Sequence, residues 1–192
     1  MPALEHTFLR SENRYRGRLM AFRGEWYRLP DGREAGPYGI LDYPDWVNAV
    51  ALTKDGQVVL VRQFRPGPKK VTVELPGGAV EPGEESLEAA LRRELEEETG
   101  YGGGRLTYLA SLSPNSASHT NRVHSFLAAG VERVAQTHPD DNEFIEVILK
   151  PLPEVVALAR SGGLDQAMHI ATLFLALARL DELRGEYARP AC

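Results

Sequence analysis

The chain has 192 residues, of which 43% are hydrophobic and 26% are charged, a composition typical of one globular domain that excludes a disordered chain. Acidic residues outnumber basic ones by 27 to 22, and no run of Lys or Arg offsets the net charge of −5, so we expect no nucleic-acid partner. The single cysteine, Cys192, excludes an internal disulfide, and the longest apolar stretch, residues 170–177, is far shorter than the roughly 20 residues of a membrane span. Because no secretory signal is visible either, we expect a cytoplasmic protein that contacts no membrane.

The first third of the chain predicts β structure. Its segments combine β-branched or aromatic residues with turn signals, and Asp55-Gly56 between two apolar runs is a strong hairpin signal. A second turn is expected at Pro30-Asp31-Gly32. The predicted strands are residues 15–27, 39–43, 47–52, 58–63 and 71–75.

The remainder mixes helices and strands. Residues 86–99 are rich in Leu, Ala, Glu and Arg, with Ser86 as the expected N-cap and Gly100 as the expected end of a helix. Strands are predicted at residues 106–111, 122–128 and 144–150, and further helices at residues 153–160 and 167–184. This order predicts an α/β (α+β) fold: either a plain α+β arrangement or helices packed on both sides of a mixed sheet.

The first predicted helix carries two carboxylates on its apolar face. At about 100° per residue, Glu94 and Glu98 fall within the stripe formed by its alanine and leucine residues, and Glu97 lies on the shoulder of that stripe. A solvated helix with i, i+4 ion pairs is the ordinary interpretation of such a sequence, but it does not explain Glu94 and Glu98. A carboxylate directed at a core needs a partner or a metal, and oxygen ligands suit Mg²⁺ or Mn²⁺ and not Zn²⁺. Upstream, Gly77 and Gly78 are predicted to close a strand and open a glycine loop, which lets a ligand approach the backbone. The pattern therefore predicts a magnesium-dependent site for a phosphate compound.

Residues 77–101 resemble the Nudix box. The family pattern is Gly, five residues, Glu, seven residues, then Arg-Glu-apolar-x-Glu-Glu-x-Gly-apolar, and residues 93–101 match its second half at every position. Counted from Gly78, the spacing to Arg93 is one residue longer than in the pattern. Either Glu84 or Glu85 therefore takes the place of the first box glutamate.

The resemblance implies a Nudix-like α/β/α sandwich that hydrolyses a nucleoside diphosphate linked to another group. It further implies that Glu94, Glu97, Glu98 and the carbonyl of Gly77 are metal ligands, for Mg²⁺ or alternatively Mn²⁺. Arg93 would orient a box glutamate through a charge-assisted hydrogen bond, and we count Arg93 and Glu97 among the catalytic residues.

Two segments beside the box resemble ADP-ribose pyrophosphatases and other nucleoside-diphosphate-sugar hydrolases: residues 61–65 and residues 75–78. In that group the arginine that matches Arg65 contacts the substrate, and we also place Gly78 among the substrate-binding residues. Trp46 either stacks on a base or anchors a core or an interface. Residues 1–45 resemble an N-terminal antiparallel β extension that forms a homodimer in that group, and residues 46–192 would form the Nudix domain.

A general base must lie within hydrogen-bond reach of the attacking water. In related pyrophosphatases it comes from an acidic loop after the box, which here corresponds to the acidic residues before the strand at 144–150. Glu143 is the first candidate and Asp141 the second, although a solvated turn is an almost equal interpretation of this segment. We assign no catalytic role to His119, His124 or His169.

The sequence thus predicts a homodimeric enzyme with a small-molecule nucleotide substrate. The expected reaction is Mg²⁺-dependent hydrolysis of ADP-ribose or a related nucleotide sugar to a nucleoside monophosphate and a sugar phosphate. One alternative is a Nudix hydrolase of dinucleoside polyphosphates or nucleoside triphosphates. The other is a catalytically silent nucleotide-binding regulator.

Overall fold

A computed structural model describes residues 4–138 and 144–188, with side chains up to residue 182. The chain forms two compact units, Met1–Asp45 with Ser113–Arg122, and Trp46–Leu112 with Val123–Cys192. None of the helices in the described part of the chain has the length and apolar character needed to cross a bilayer.

The first unit contains an antiparallel sheet of three strands in the order β1-β2-β3. The strands are β1 (Thr7–Arg16), β2 (Ala21–Arg28) and β3 (Glu34–Asp42). The single β segment predicted at residues 15–27 is wrong in its bounds, because the chain turns between β1 and β2, where Gly17 N–H donates to the Met20 carbonyl at 2.8 Å. The turn predicted at Pro30-Asp31-Gly32 is present, with a 2.9 Å hydrogen bond from Gly32 N–H to the Leu29 carbonyl.

The second unit contains a sheet of seven strands. Five strands lie in the order β10-β5-β4-β9-β8, while β6 pairs with β5 and β7 pairs with β4. Only the pair between β4 and β9 is parallel among the described strands, so the sheet is mixed, as predicted. The strands are β4 (Trp46–Thr53), β5 (Gln57–Arg65), β6 (Lys70–Glu74), β7 (Gly77–Ala79), β8 (Tyr101–Leu112), β9 (Val123–Arg133) and β10 (Glu146–Pro151).

Helices cover both faces of this sheet. The helices are α1 (Leu87–Thr99), α2 (Leu152–Ser161) and α3 (Ala167–Ala188). Along β4, Val47 and Ala49 belong to the buried cluster that includes Leu91 of α1, whereas Val50 belongs to the cluster that includes Leu173 of α3. A strand buried on both faces is apolar along its whole length, which explains its continuous hydrophobic run. The α/β/α sandwich with a mixed sheet is confirmed.

Two predictions for the glycine-rich segments are wrong. Gly77 and Gly78, predicted to open a loop, lie in β7, in which Gly77 pairs with Asn48 and Gly78 with Val47. Strand β8 begins at Tyr101 and not at residue 106, because its glycine-rich start pairs with the end of β9. Glycine has little β propensity of its own, so in both cases the neighbouring strand decides the conformation.

Candidate active site

Helix α1 has the boundaries that its sequence predicts. The Ser86 side chain accepts a hydrogen bond from Ala89 N–H at 3.1 Å, and Gly100 ends the helix in the left-handed conformation with φ 70°. This placement turns Glu98 into the core, where only 6% of its surface is exposed. Its Oε2 accepts a 2.9 Å hydrogen bond from Gly77 N–H, so a buried helix carboxylate is held against β7.

One guanidinium, that of Arg93, gathers three carboxylates. Its Nε donates to Glu84 Oε1 at 2.9 Å, its Nη1 donates to Glu97 Oε2 at 2.8 Å, and its Nη2 lies 2.9 Å from Glu94 Oε1. Nη2 also donates to the Ala79 carbonyl at 3.1 Å. Burial alone would lower the pKa of Arg93, but the hydrogen bonds and charges of the three carboxylates outweigh it and hold the pKa above its usual value.

The structure distinguishes the two candidates for the first box glutamate. Glu84 accepts hydrogen bonds from Arg93 and from Glu81 N–H at 2.6 Å, whereas Glu85 is exposed. Burial would raise the pKa of Glu84, but these hydrogen bonds and the charge of Arg93 lower it. The extra residue in the box is therefore accommodated after Glu84, and Glu84 takes the position beside Arg93.

A cleft of about 440 Å³ lies in the second unit. It brings together Trp46 and Arg65, because the first residue of β4 and the last residue of β5 lie at the same end of an antiparallel pair. Trp46 is also the register partner of Ala79, whose carbonyl binds Arg93. The cleft combines apolar and polar side chains, as small-molecule sites do. Its lining residues are Trp46, Arg65, Pro66, Gly67, Pro68, Thr72, Glu74, Asp165 and Gln166.

Glu74, which the sequence analysis did not single out, lines the cleft beside Arg65. Its carboxylate is 3% exposed and forms two hydrogen bonds with Arg65, from Nε at 2.9 Å and from Nη2 at 2.7 Å. Thr72 Oγ1 donates to the same carboxylate at 2.6 Å. Burial would raise the pKa of Glu74, but His169, Arg65 and Thr72 together hold it well below its usual value. A sequence pattern could have drawn attention to Glu74. In β6 the residues alternate, so that Thr72 and Glu74 share one face of the strand while Val71 and Val73 share the other.

Comparison with known proteins supplies the family. A model of the NUDIX domain matches residues 42–169. The chain belongs to the Nudix family of hydrolases. It is 33% identical over 162 residues to the ADP-ribose pyrophosphatase of Bacillus subtilis (strain 168), covering 84% of this chain and 86% of that protein. It is also 29% identical over 175 residues to the methanol dehydrogenase activator of Bacillus methanolicus, covering 90% and 94%. A solved structure described as "Crystal structure of ADP compounds hydrolase" has the same fold, with a TM-score of 0.83 at 24% identity, covering 94% and 97% of the two chains.

The Nudix box residues fit a divalent cation by charge and by donor type. Glu84, Glu94, Glu97 and Glu98 offer only oxygen donors, and four carboxylates close together favour a divalent cation. Mg²⁺ and Mn²⁺ take such donors. Within residues 4–138 and 144–182, no three His, Cys, Asp or Glu side chains stand in a ready metal-binding arrangement, and Arg93 hydrogen-bonds or pairs with three of these four carboxylates.

The candidates for the general base, Glu143 and Asp141, lie outside the described residues. The last described residue before them, His138, lies beside the Nudix helix, because its N–H donates to the Glu97 carbonyl at 2.8 Å. The histidines without an assigned role lie elsewhere: His119 stacks on Tyr43 in the first unit, with ring centroids 5.6 Å apart, and His124 is buried in β9. His169 is buried as well, beside Glu74.

Proposed function

We propose that this Nudix hydrolase cleaves the pyrophosphate bond of ADP-ribose or a related nucleotide sugar, releasing a nucleoside monophosphate and a sugar phosphate. The observation that carries the proposal is the cluster of box carboxylates around Arg93, which the Ala79–Trp46 strand pair links to a cleft lined by Arg65 and Trp46. The similarity to the Bacillus subtilis ADP-ribose pyrophosphatase, over most of both chains, supports this substrate.

The box residues would hold Mg²⁺, or Mn²⁺ in its place, through Glu94, Glu97, Glu98 and the Gly77 carbonyl. When bound, such a cation polarises phosphoryl oxygens, lowers the pKa of water and offsets charge on the leaving phosphate. Arg93 keeps Glu94 and Glu97 oriented, because a guanidinium with three carboxylate partners fixes each of them in direction.

The cleft residues would bind the organic part of the substrate and its phosphates. Arg65 presents a permanent positive charge to an anion, and the Trp46 ring offers a flat apolar surface to a base. Gly78 would contact the substrate through the backbone of β7. We assign the general base to Glu143, with Asp141 as the alternative, because the chain enters that segment beside Glu97.

A substrate panel tests the proposal. The purified chain is assayed with ADP-ribose, a second nucleotide sugar, a dinucleoside polyphosphate and nucleoside triphosphates, each with Mg²⁺, with Mn²⁺ and with EDTA. We expect AMP and ribose 5-phosphate from ADP-ribose with either cation, and no turnover in EDTA. Activity confined to triphosphates or dinucleoside polyphosphates would reject the proposed substrate in favour of the alternative hydrolase.

A nucleotide-binding regulator is the second candidate. It is favoured by the similarity of nearly the whole chain to a protein named methanol dehydrogenase activator. The silent form of this candidate requires a lost ligand, yet Glu94, Glu97 and Glu98 are all retained. Binding of ADP-ribose without hydrolysis of any compound on the panel would support it.

A further inference from the structure

A line of buried polar side chains runs from α3 to the cleft. Thr172 Oγ1 donates to Asn48 Oδ1 at 2.8 Å, and Asn48 Nδ2 lies 3.4 Å from His169 Nδ1. His169 Nε2 lies 3.4 Å from Glu74 Oε2, and Glu74 binds Arg65. All of these side chains except Arg65 are buried. The line therefore connects the interior of the sandwich to one cation that lines the cleft.

The contacts along this line orient the imidazole ring of His169. The Asn48 side-chain nitrogen lies 3.4 Å from His169 Nδ1, so this edge of the ring is turned towards β4. Nε2 makes no hydrogen bond of full geometry to any described residue, and the oxygen it faces is Glu74 Oε2. A buried polar nitrogen without a partner is costly, so approach to this carboxylate is the favourable direction for the ring.

Glu74 is in turn held on both oxygens. Oε1 accepts from Thr72 and from Arg65 Nε, while Oε2 accepts from Arg65 Nη2 and faces His169. Two parallel hydrogen bonds fix the plane of the guanidinium as well as its position. The side chain of Arg65 is nevertheless 29% exposed, and it lines the cleft. An arginine that is ordered before an anion arrives loses less side-chain entropy when the anion binds.

We propose that Glu74 and His169 are positioning residues for Arg65, which they hold in the direction required to bind an anionic group of the substrate. The inference rests on the proposed function for the identity of that substrate, a nucleoside diphosphate sugar. Because neither residue acts on the reacting phosphorus, their effect belongs to substrate binding and not to the chemical step. A merely structural role predicts the opposite division, in which kcat falls with the fraction of folded enzyme while KM stays the same.

Steady-state kinetics on ADP-ribose separate these two roles. Glu74→Gln keeps the shape of the side chain but removes its charge, and we expect KM to rise about tenfold or more while kcat changes less than about threefold. His169→Phe, which has no donor, raises KM in the same way, whereas His169→Gln retains an N–H donor and stays within about threefold of the wild type. Glu132→Gln, the same change in the exposed Lys54–Glu132 pair, is the control and leaves both constants unchanged.

A double-mutant cycle tests whether the effect passes through Arg65. In an Arg65→Ala background, Glu74→Gln should raise KM by less than about twofold, since its target is absent. An undiminished effect there, or an unchanged KM in the Glu74→Gln single variant, overturns the inference. If Glu74→Gln does not fold, Thr72→Val removes one hydrogen bond to Glu74 Oε1, and a KM that does not rise overturns the inference in the same way.

Side-chain NMR provides a readout that does not depend on activity. The Nε–H of Arg65, assigned with Arg65→Lys, should exchange slowly with water in the wild type and rapidly in Glu74→Gln and His169→Phe. Slow exchange in a wild type that does not cleave ADP-ribose rejects the proposed substrate and supports the positioning of Arg65. Rapid exchange in a wild type that cleaves ADP-ribose overturns the positioning and leaves the proposed function standing.

Discussion

Gly78 faces Glu94 so closely that a Cβ built on the glycine would lie 2.5 Å from the carboxyl carbon of Glu94. The neighbouring Gly77 is crowded in another way: its Cβ would lie 2.7 Å from Asn48 Cα and would overlap the Val47 carbonyl oxygen, and its φ is +149°. Gly78 therefore makes room for a side chain, and Gly77 makes room for the backbone of β4. We therefore expect substitutions at the two glycines to impair the enzyme for different reasons.

Gly78→Ala should impair catalysis more than folding. The added methyl displaces the end of a flexible side chain, so the melting temperature changes little, but the displaced carboxylate is a proposed metal ligand. We expect kcat to fall about 100-fold or more, measured on the best substrate of the panel. The double variant Gly78→Ala/Glu94→Gln should be no slower than the slower single variant, because both changes remove the same ligand. A kcat near that of the wild type in Gly78→Ala would contradict the role of Glu94.

Gly77→Ala should impair folding. A methyl group there collides with backbone atoms that cannot rotate away, and the residue must keep a positive φ. We expect the free energy of unfolding to fall by about 3 kcal/mol or more in urea denaturation. Gly56→Ala is the control, because Gly56 also has a positive φ, +80°, but its Cβ would meet nothing within 4 Å. We expect Gly56→Ala to lower the free energy of unfolding by about 1 kcal/mol. Equal losses in Gly77→Ala and Gly56→Ala would show that the close approach of Gly77 to β4 has no energetic effect.

The carboxylates of α1 should divide into essential and dispensable ones along the same helix. Glu97→Gln and Glu98→Gln keep the side-chain shape but weaken cation binding, and we expect kcat to fall about 100-fold or more in each. The matched control is Glu96→Gln, since Glu96 is exposed, and its kcat should stay within about twofold of the wild type. Loss of less than about tenfold in both test variants would refute the metal assignment.

The box helix could be predicted from the sequence because its determinants are local. Ser86 and Gly100 mark its ends, and the 3.6-residue period places Glu98 among leucines, where the structure finds it buried. The pairing of Arg93 with Glu97 follows from the same period, since residues four apart share a helix face. Arg93 also binds Glu84, nine residues earlier, and that contact requires the path of the loop before the helix.

Features that depend on distant partners could not be predicted. Strand β7 forms only because β4 lies beside it, and its two glycines carry no strand signal of their own. The pairing of Glu74 with Arg65 requires the antiparallel register of β5 and β6, and the approach of His169 requires α3 to pack on the sheet. Arg65 was found from the resemblance of its segment, whereas the residues that hold it were missed.

The exposed edge strand of the first unit leads us to predict a homodimer in solution. Nine of the ten residues of the edge strand β1 are exposed, and they include the aromatic side chains of Phe8 and Tyr15. An uncovered edge strand with large apolar side chains favours pairing with a second copy. Sedimentation equilibrium at micromolar concentration should give twice the mass of one chain, and Tyr15→Glu should shift that mass towards the monomer. Phe64→Glu, on the similarly exposed Phe64 of β5, should leave the mass unchanged, and a wild-type monomer would reject the dimer.

Acid should remove the stabilisation that Glu74 provides. Because its pKa in the folded chain lies below the ordinary value of 4.5, its ionised form stabilises the protein fully above that pH and loses this effect as the pH falls through the folded value. At neutral pH we expect Glu74→Gln to unfold about 2 kcal/mol more easily than the wild type, because a buried carboxylate loses its charge-assisted hydrogen bonds to Arg65. The difference in unfolding free energy between wild type and variant should shrink steadily as the pH is lowered from 4.5. Urea denaturation between pH 7 and pH 3 measures this difference. A difference that grows below pH 4.5 would show that folding does not lower the pKa of Glu74.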